Sequence, residues 1–437
     1  MSNQLEWQTK SLGELAKWSS GGTPSRSNKN YYGGSIPWLK TGDLGPRYVR
    51  DIPEFITEEG LKNSSAKLFP KGSVGIAMYG ATIGKVSIFD IDAACNQACA
   101  VAQPHDQIID REFLYYLLKN EKEAFIAKGK GGAQPNISQK IIKEHEVKIP
   151  NVDVQHKIVE KLDSVLAKVE AAQARLNKIP TILKRFRQSV LAAATSGELT
   201  KDWREENDVR LKVFPKDVEN DAYDVWKNTT DRGIPSSWHY FKLYELGSIK
   251  GGGTPRKSID DYWNGEVPWV TPKDMKVDFI STSKLKVTDF GVKNSSAKYI
   301  DKNSLLFVVR GMILAHSFPV AKTLEQVTVN QDMKALTPIE QVNPDYLLYS
   351  LKSLAQVFVE LASSSTHGTK RLEAKMYNNV AIPVPPLEEQ FKIVQKVKEL
   401  LEHADTVEKQ YNAAKARVDK LTQSILAKAF RGELVEY

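Results

Sequence analysis

Ser20-Gly21-Gly22-Thr23-Pro24 returns as Gly251-Gly252-Gly253-Thr254-Pro255, 231 residues further along (Pro24 to Pro255). At the same offset Ile36-Pro37-Trp38 returns as Val267-Pro268-Trp269, and Asn63-Ser64-Ser65-Ala66-Lys67 as Asn294-Ser295-Ser296-Ala297-Lys298. Trp7 and Trp238 share that offset, as do Gly80 and Gly311. After small insertions Asn96-Gln97 aligns with Asn330-Gln331. Gln155-His156-Lys157-Ile158-Val159 then aligns with Gln390-Phe391-Lys392-Ile393-Val394, and Gly197-Glu198-Leu199 with Gly432-Glu433-Leu434. The chain is a duplicated unit of about two hundred residues, a period far too long for a solenoid, so each copy is a domain with an appendage.

The first part of each copy is rich in Gly, Pro, Ser and β-branched residues. Short apolar runs such as Ser73 to Met78 and Ser304 to Val309 predict strands. The stretches Phe113 to Ala127 and Tyr346 to Leu361 predict helices. Proline-rich turns at Ile149-Pro150 and Ile382-Pro383-Val384-Pro385-Pro386 close each globule. Beyond these turns the apolar residues take another period. Ile393, Val397, Leu400, Ala404, Val407, Tyr411, Ala414, Val418, Leu421 and Ile425 fall at alternating steps of four and three. Ile158, Leu162, Val165, Val169, Ala172, Leu176 and Ile179 do the same until Pro180, where the helix should kink or restart. Such a seam belongs to a coiled coil, and two equivalent helices pairing antiparallel satisfy it, within one chain or between two copies. The expected fold is a duplicated α/β (α+β) one: two mixed α/β globules separated by two long helices forming an antiparallel coiled coil. The expected domains are a first globule over 1–150, a first spacer helix over 151–199 and a charged, irregular connector over 200–234. A second globule over 235–383 and a second spacer helix over 384–437 complete them.

The chain has 437 residues, 41% hydrophobic and 26% charged, as in ordinary globular proteins. No apolar run is long enough for a transmembrane helix, and Met1 to Trp7 lacks the features of an export signal, so a cytoplasmic protein is expected. Cys95 and Cys99 lack the spacing and companions of a metal site and are expected to be small buried side chains. No metal site is expected. A formal charge of +8 permits a polyanionic partner without requiring one.

Two similar globules on a helical spacer form a ruler. From Ile393 to Ile425 the seam covers about 48 Å at a rise of about 1.5 Å per residue. That length matches roughly 14 base pairs of double-stranded DNA. The copies keep their framework and differ at polar loop positions: Tyr79-Gly80-Ala81-Thr82-Ile83-Gly84-Lys85 stands against Arg310-Gly311-Met312-Ile313-Leu314-Ala315-His316. Different donors and acceptors on one frame read different base edges, so the expected target is bipartite and asymmetric. The candidate DNA contacts are Arg26, Lys29, Lys40, Arg47, Tyr79, Thr82, Lys85, Lys130 and Gln134 in the first copy. In the second they are Arg256, Lys257, Lys273, Lys276, Arg310, His316, Lys370 and Arg371. Arg takes guanine bidentately, Gln takes adenine, and Lys mainly neutralises phosphates.

The Gly-Gly-Thr-Pro loop, the Pro-Trp strand, the Asn-Gln pair and Val384-Pro385-Pro386-Leu387-Glu388-Glu389-Gln390 resemble the specificity subunits of type I restriction–modification systems. So does Leu183-Lys184-Arg185-Phe186-Arg187-Gln188-Ser189-Val190-Leu191 followed by Ser196-Gly197-Glu198-Leu199. The resemblance spans essentially the whole chain. It implies that each globule is a target-recognition domain and that the helices are a conserved spacer. It also implies two methyltransferase subunits as partners, with restriction (translocase) subunits in the full complex. S-adenosylmethionine, ATP and Mg belong to those partners, and no cofactor to this chain. Lys184, Arg185 and Arg187 are candidates for docking the partners.

Competing motifs are weaker. Asn343-Pro344-Asp345-Tyr346 approaches an amino-methyltransferase motif, but Asn as a helix cap with Pro behind it explains the tetrapeptide. Gly80 to Lys85 is one residue short of a phosphate loop and lacks its Ser or Thr. Glu146-Val147-Lys148 and Glu373-Ala374-Lys375 sit at non-equivalent positions and suit solvated charge better than a nuclease site. The alternatives are an autonomous DNA methyltransferase or nuclease, for which no cofactor loop is present, and a coiled-coil dimeriser whose globules bind protein.

Overall fold

A computed structural model describes residues 7–129, 136–207, 233–364 and 369–435. The apolar runs of the first copy form a five-stranded sheet in the order Ala16–Ser20, Cys99–Pro104, Val74–Ala77, Val86–Phe89, Tyr48–Val49. Its pairs are antiparallel except the last. A second, mixed sheet orders Phe55–Ile56, Tyr32–Leu39, Ala93–Cys95 and Leu68–Phe69. The second copy repeats the first sheet as Gly247–Gly251, Met333–Pro338, Leu305–Val308, Val320–Thr323 and Phe279–Ile280. Its smaller sheet has three strands, Leu285–Val287, Trp263–Val270 and Thr328–Val329, and Ile300 makes a single bridge to Val327 beside it. The strand centres carry Val, Ile, Phe and Ala and are buried on both faces, as runs without alternation should be.

The expected helices divide. Phe113 to Ala127 lies in Arg111–Asn120 and Lys122–Lys128, and Tyr346 to Leu361 in Pro344–Ser353 and Ala355–Leu361. Asp110 and Asn343 cap the first member of each pair, each accepting two backbone N–H groups. Asn343-Pro344-Asp345-Tyr346 is therefore a capped helix start, and the Tyr346 hydroxyl is buried on the Pro383 carbonyl at 2.6 Å. Cys95 and Cys99 are free and buried.

The first long helix runs Val152–Leu176 and a second follows over Ile179–Ser196, a restart beside Pro180 as expected. The last helix is continuous over Leu387–Phe430. The chain divides into two compact units, Met1–Lys178 with Tyr411–Tyr437, and Ile179–Gln410. In the first unit Ile158, Leu162 and Leu166 share a core with Phe113, Leu426 and Ala429, and Gln173 reaches Asp419 at 2.9 Å. In the second, Val190 and Ala194 pack with Ile393, Val394 and Val397, and Arg187 reaches Asp405 and Glu408 at 2.7 Å. Within each unit the residue numbers on one helix rise as those on the other fall. Pairing is antiparallel and within one chain.

The seam differs from the regular one. Leu166, not Val165, is buried, so the buried steps Ile158, Leu162, Leu166, Val169 run four, four, three. That is the spacing of an eleven-residue repeat, which suits a nearly straight α-helix better than a heptad does. Ile393, Val397 and Ala404 are buried, Leu176, Leu400, Val418 and Ile425 half-buried, while Val407 and Leu421 are 43% and 42% exposed. Polar side chains such as Gln173 and Arg187 also join the helices, through Asp419 and through Asp405 and Glu408.

The residues expected to open an irregular connector are instead ordered. Thr200 is buried and Lys201–Glu206 is helical. Glu389, fully buried, accepts from the Thr200 hydroxyl (2.6 Å), Arg204 (2.6 Å) and the Trp238 indole (2.9 Å). A buried carboxylate demands such partners. Gly197, at φ +81°, turns the chain into this contact, and a Cβ there would meet Pro235 at 2.4 Å. Residues 208–232 of the expected connector lie outside the described residues.

One amide fixes each globule to its helix. Gln155 is fully buried; its amide nitrogen donates to the carbonyls of Ile108 (3.0 Å) and Pro150 (2.9 Å), and its oxygen accepts from Asp110 (2.9 Å). Gln390 repeats this with Gln341 (3.0 Å), Pro385 (2.9 Å) and Asn343 (2.7 Å). Beside each, an ion cluster joins globule and helix. Arg47 bridges Glu112 (2.8 Å) and Asp163 (2.7 Å), and the Tyr116 hydroxyl donates to Asp163. In the second unit Asp345 receives Lys322 and, from the helix, Lys398 at 2.9 Å.

Replacing Gln390 by Ala strands the buried Pro385 carbonyl together with the part-buried Gln341 carbonyl and Asn343 N–H, and is expected to destabilise the second unit by about 2 kcal/mol, at about 1–3 kcal/mol per fully buried orphaned group and less where water can reach. Denaturant unfolding measures this, and a loss below about 1 kcal/mol would show that water replaces the amide. Burial raises the Asp345 pKa, but the hydrogen bonds from Lys322 and Lys398 outweigh it and hold the carboxyl below its ordinary value of 3.8. Its contribution is therefore complete above that value and fades as pH falls through the lower, folded one. Asp345→Asn should flatten the acid limb of a stability–pH curve below about pH 4, leaving the curve's shape near neutrality unchanged.

Candidate nucleic-acid interface

The duplicated motifs converge on one platform in each unit. The Trp38 indole donates to the Gly22 carbonyl at 2.9 Å, and the Trp269 indole to Gly253 at 3.0 Å. A Cβ on Gly22 would lie 2.3 Å from the backbone of Ser65, and one on Gly253 2.4 Å from that of Ser296. Only glycine lets the Gly-Gly-Thr-Pro loop lie against the Asn-Ser-Ser-Ala-Lys turn. The Gly22 N–H donates to Cys95 and that of Gly253 to Val329, which brings the Asn-Gln pairs alongside. There the Thr23 hydroxyl donates to the Gln97 side-chain oxygen, and Thr254 does the same to Gln331.

The divergent loops sit on this platform. Met78 donates to Ala98, and Ile137 to Met78, so Tyr79 to Lys85 lies between the Asn-Gln pair and the segment around Asn136. Val309 and Arg310 donate to Asp332, Leu372 to Val309 and Gly311 to Lys370, placing Arg310 to His316 between Gln331 and Arg371. The strand ends at Leu39 and Val270 accept from Asn96 and Asn330, which sets Lys40 and Lys273 at the same rim.

Arg310, His316 and Arg371 are exposed with Lys370 half-exposed, and these four are brought together. Lys85, Lys273, Arg256 and Lys257 are exposed at the platform's loops, Lys276 lies a few residues past its rim, and Lys29 is exposed in the short helix Lys29–Tyr31. Tyr79 is exposed and bridges to Asn136, but the Thr82 hydroxyl is spent on the Tyr79 carbonyl at 2.8 Å. Two arginines are already committed. Glu54 binds Arg26 bidentately (2.9 and 3.0 Å), raising its pKa, while Arg26 lies over the rings of Tyr32 and Trp38. Lys40 shares Glu54 at 2.8 Å. Arg47 faces the long helix, where burial works against its charge but the hydrogen bonds it donates to Asp163 and Glu112 outweigh it. It belongs to the junction between globule and helix and not to the loops. Lys130 and Gln134 lie outside the described residues.

The expected set omitted Gln97 and Gln331. Both are exposed, and a threonine fixes each one's oxygen, orienting its amide. Their signal was present in the repetition of Asn-Gln in both copies.

Residues 4–181 and 235–415 match the family described as "Type I restriction modification DNA specificity domain". The EcoDI specificity subunit of Escherichia coli is 31% identical over 98% of this chain and 89% of its own length. The EcoBI specificity subunit of Escherichia coli is 32% identical over 78% and 69%. Among solved structures, the HsdS subunit from Thermoanaerobacter tengcongensis superposes with a TM-score of 0.60 at 18% identity, covering 98% and 97% of the two chains. A chain from a structure on assembly and conformational transition of the type I restriction–modification system gives 0.66 at 20%, covering 98% of each. The chain belongs to the type I restriction–modification DNA specificity family. Its role there is that of a specificity subunit, which recognises DNA and carries out no catalysis.

Arg47→Ala should lower the stability of the first unit by about 1–3 kcal/mol, since a partly buried, doubly hydrogen-bonded cation is lost. It should leave the recognised sequence unchanged. A changed sequence with unchanged stability would place Arg47 among the reading residues instead.

Proposed function

We propose that the chain reads a bipartite, asymmetric double-stranded DNA target, one half-site per globule. The observation that carries this is one platform built twice from the same motifs and bearing different loops. Groups common to both copies, the Thr23–Gln97 and Thr254–Gln331 pairs, suit what every duplex shares, its sugar–phosphate backbone. Groups that differ suit base edges: Tyr79 and Lys85 in one globule, Arg310, His316 and Arg371 in the other. Gln97 and Gln331 join the candidates, while Arg26, Lys40 and Arg47 act as framework.

In this reading the domains are the two target-recognition globules, 1–150 and 235–383, and the spacer helices within 151–199 and 384–437, which set the gap between half-sites. The helices also dock two methyltransferase subunits, with restriction subunits joining in the full complex. Lys184 and Arg185 are exposed and free to serve that docking, whereas Arg187 is held by Asp405 and Glu408. S-adenosylmethionine, ATP and Mg reside on those partners, and the complex works in the cytoplasm. Among the described residues, no helix is long and apolar enough to cross a membrane.

Co-expression with the methyltransferase partner, followed by mapping of methylated adenines, should give a split, non-palindromic motif with a fixed gap. Grafting Tyr79–Lys85 in place of the Arg310 loop should change one half of it only. A contiguous or palindromic motif would overturn the two-headed reading. Affinity of the assembled complex should fall steeply and linearly on a log–log plot against salt. A salt-independent affinity would favour a protein-binding role for the globules.

A further inference from the structure

We infer that Met312 and Ile313 form a thymine-reading contact in the second globule, an inference that rests on the globules being DNA readers. The two side chains are 62% and 43% exposed, adjacent, and carried at the tip of the short turn Met312–Ala315. The next residue, Leu314, is fully buried and anchors the turn in the core. The base of the loop is pinned by Gly311 donating to Lys370 (3.0 Å), by Leu372 donating to Val309 (2.9 Å) and by the bridge between Arg310 and Arg371. The apolar pair is thus held out on a fixed support.

Single exposed apolar side chains are ordinary on any surface. This pair is distinguished by its frame, because Arg310 and His316 flank it on the same loop and the strand carrying Lys370 and Arg371 is bonded to the loop's base. Cations select a polyanion, and among the base edges of a duplex the one apolar group is the 5-methyl of thymine in the major groove. Arg310 and Arg371 suit guanine in the same groove, so the loop would read guanine through its arginines and thymine through Met312 and Ile313. The first globule has Ala81 and Thr82 at these positions, with the Thr82 hydroxyl already used inside its own loop. The contact belongs to one half-site only.

The test uses the complex with its methyltransferase partner and duplexes carrying the mapped motif. Each thymine is replaced in turn by deoxyuridine, which removes the methyl alone. The wild-type complex should bind about four-fold more weakly for each contacted methyl, from the transfer value of one buried carbon. The loss should appear at one or two thymines of a single half-site. The double variant Met312→Ala/Ile313→Ala, whose sites are exposed, should bind the thymine duplex as weakly as wild type binds the deoxyuridine one. It should then be indifferent to the exchange. A half-site without thymine on either strand, equal wild-type affinity for both duplexes, or a loss that persists in the variant would each overturn the contact. Equal affinities together with a bend at that step would instead make the pair a wedge between bases. Failure of the complex to prefer any sequence would overturn the DNA-reading globules themselves, and the contact with them.

Discussion

A buried glutamine cannot be half satisfied. Its amide presents two N–H groups and an oxygen, and away from water each needs a partner. Gln155 and Gln390 meet that demand in the same way. Each ties together the first turn of a long helix, the last turn of the globule and the cap of the helix that packs over the main sheet. The junction of globule and long helix is thereby held, to within the tolerance of a hydrogen bond, to a cap more than forty residues earlier in the chain. The orientation of each globule on its own helix follows from that junction. The neighbouring ion clusters reinforce it with different polarity, the helix supplying an anion, Asp163, in one unit and a cation, Lys398, in the other. Both versions work because the globule side offers one cation and one anion together.

The shared motifs owe their coexistence to mutual contact. The glycines leave room for the Asn-Ser-Ser-Ala-Lys turn, the tryptophan seizes a glycine carbonyl, and threonine orients glutamine. None of these contacts encodes a sequence of bases. They present a loop whose composition is free to change, as Tyr79 to Lys85 and Arg310 to His316 have. A rigid support with variable tips is the usual division of labour between scaffold and binding loop.

The duplication, the sheet-forming runs, the long helices and the restart at Pro180 were legible because they depend on local pattern. So was the Asn343 cap, whose mechanism spans four residues. What escaped were partnerships across sequence distance. Arg26 and Arg47 look free in the sequence, and only folding delivers Glu54, Glu112 and Asp163 to them. The slip of the seam from Val165 to Leu166 escaped because both are apolar and either fits a helical stripe. Periodicity chooses a face, whereas the partner surface chooses the residue. Gln97 was visible as a repeat, but its role emerges only when Thr23 is seen to hold it.

The first unit is made from both ends of the chain. Phe430 meets Phe113 edge-on at 5.2 Å, and Leu426 and Ala429 complete the core around the first long helix. The second unit is one uninterrupted stretch, Ile179–Gln410. During synthesis, which runs from the N-terminus, domains ordinarily close in the order in which they emerge. Here that order is inverted: the globule translated first is the last to be sealed, since its core waits for residues beyond 410. Until then the apolar face of Val152–Leu176 is uncovered along part of its length, and a nascent chain stalled late in translation would display it to chaperones.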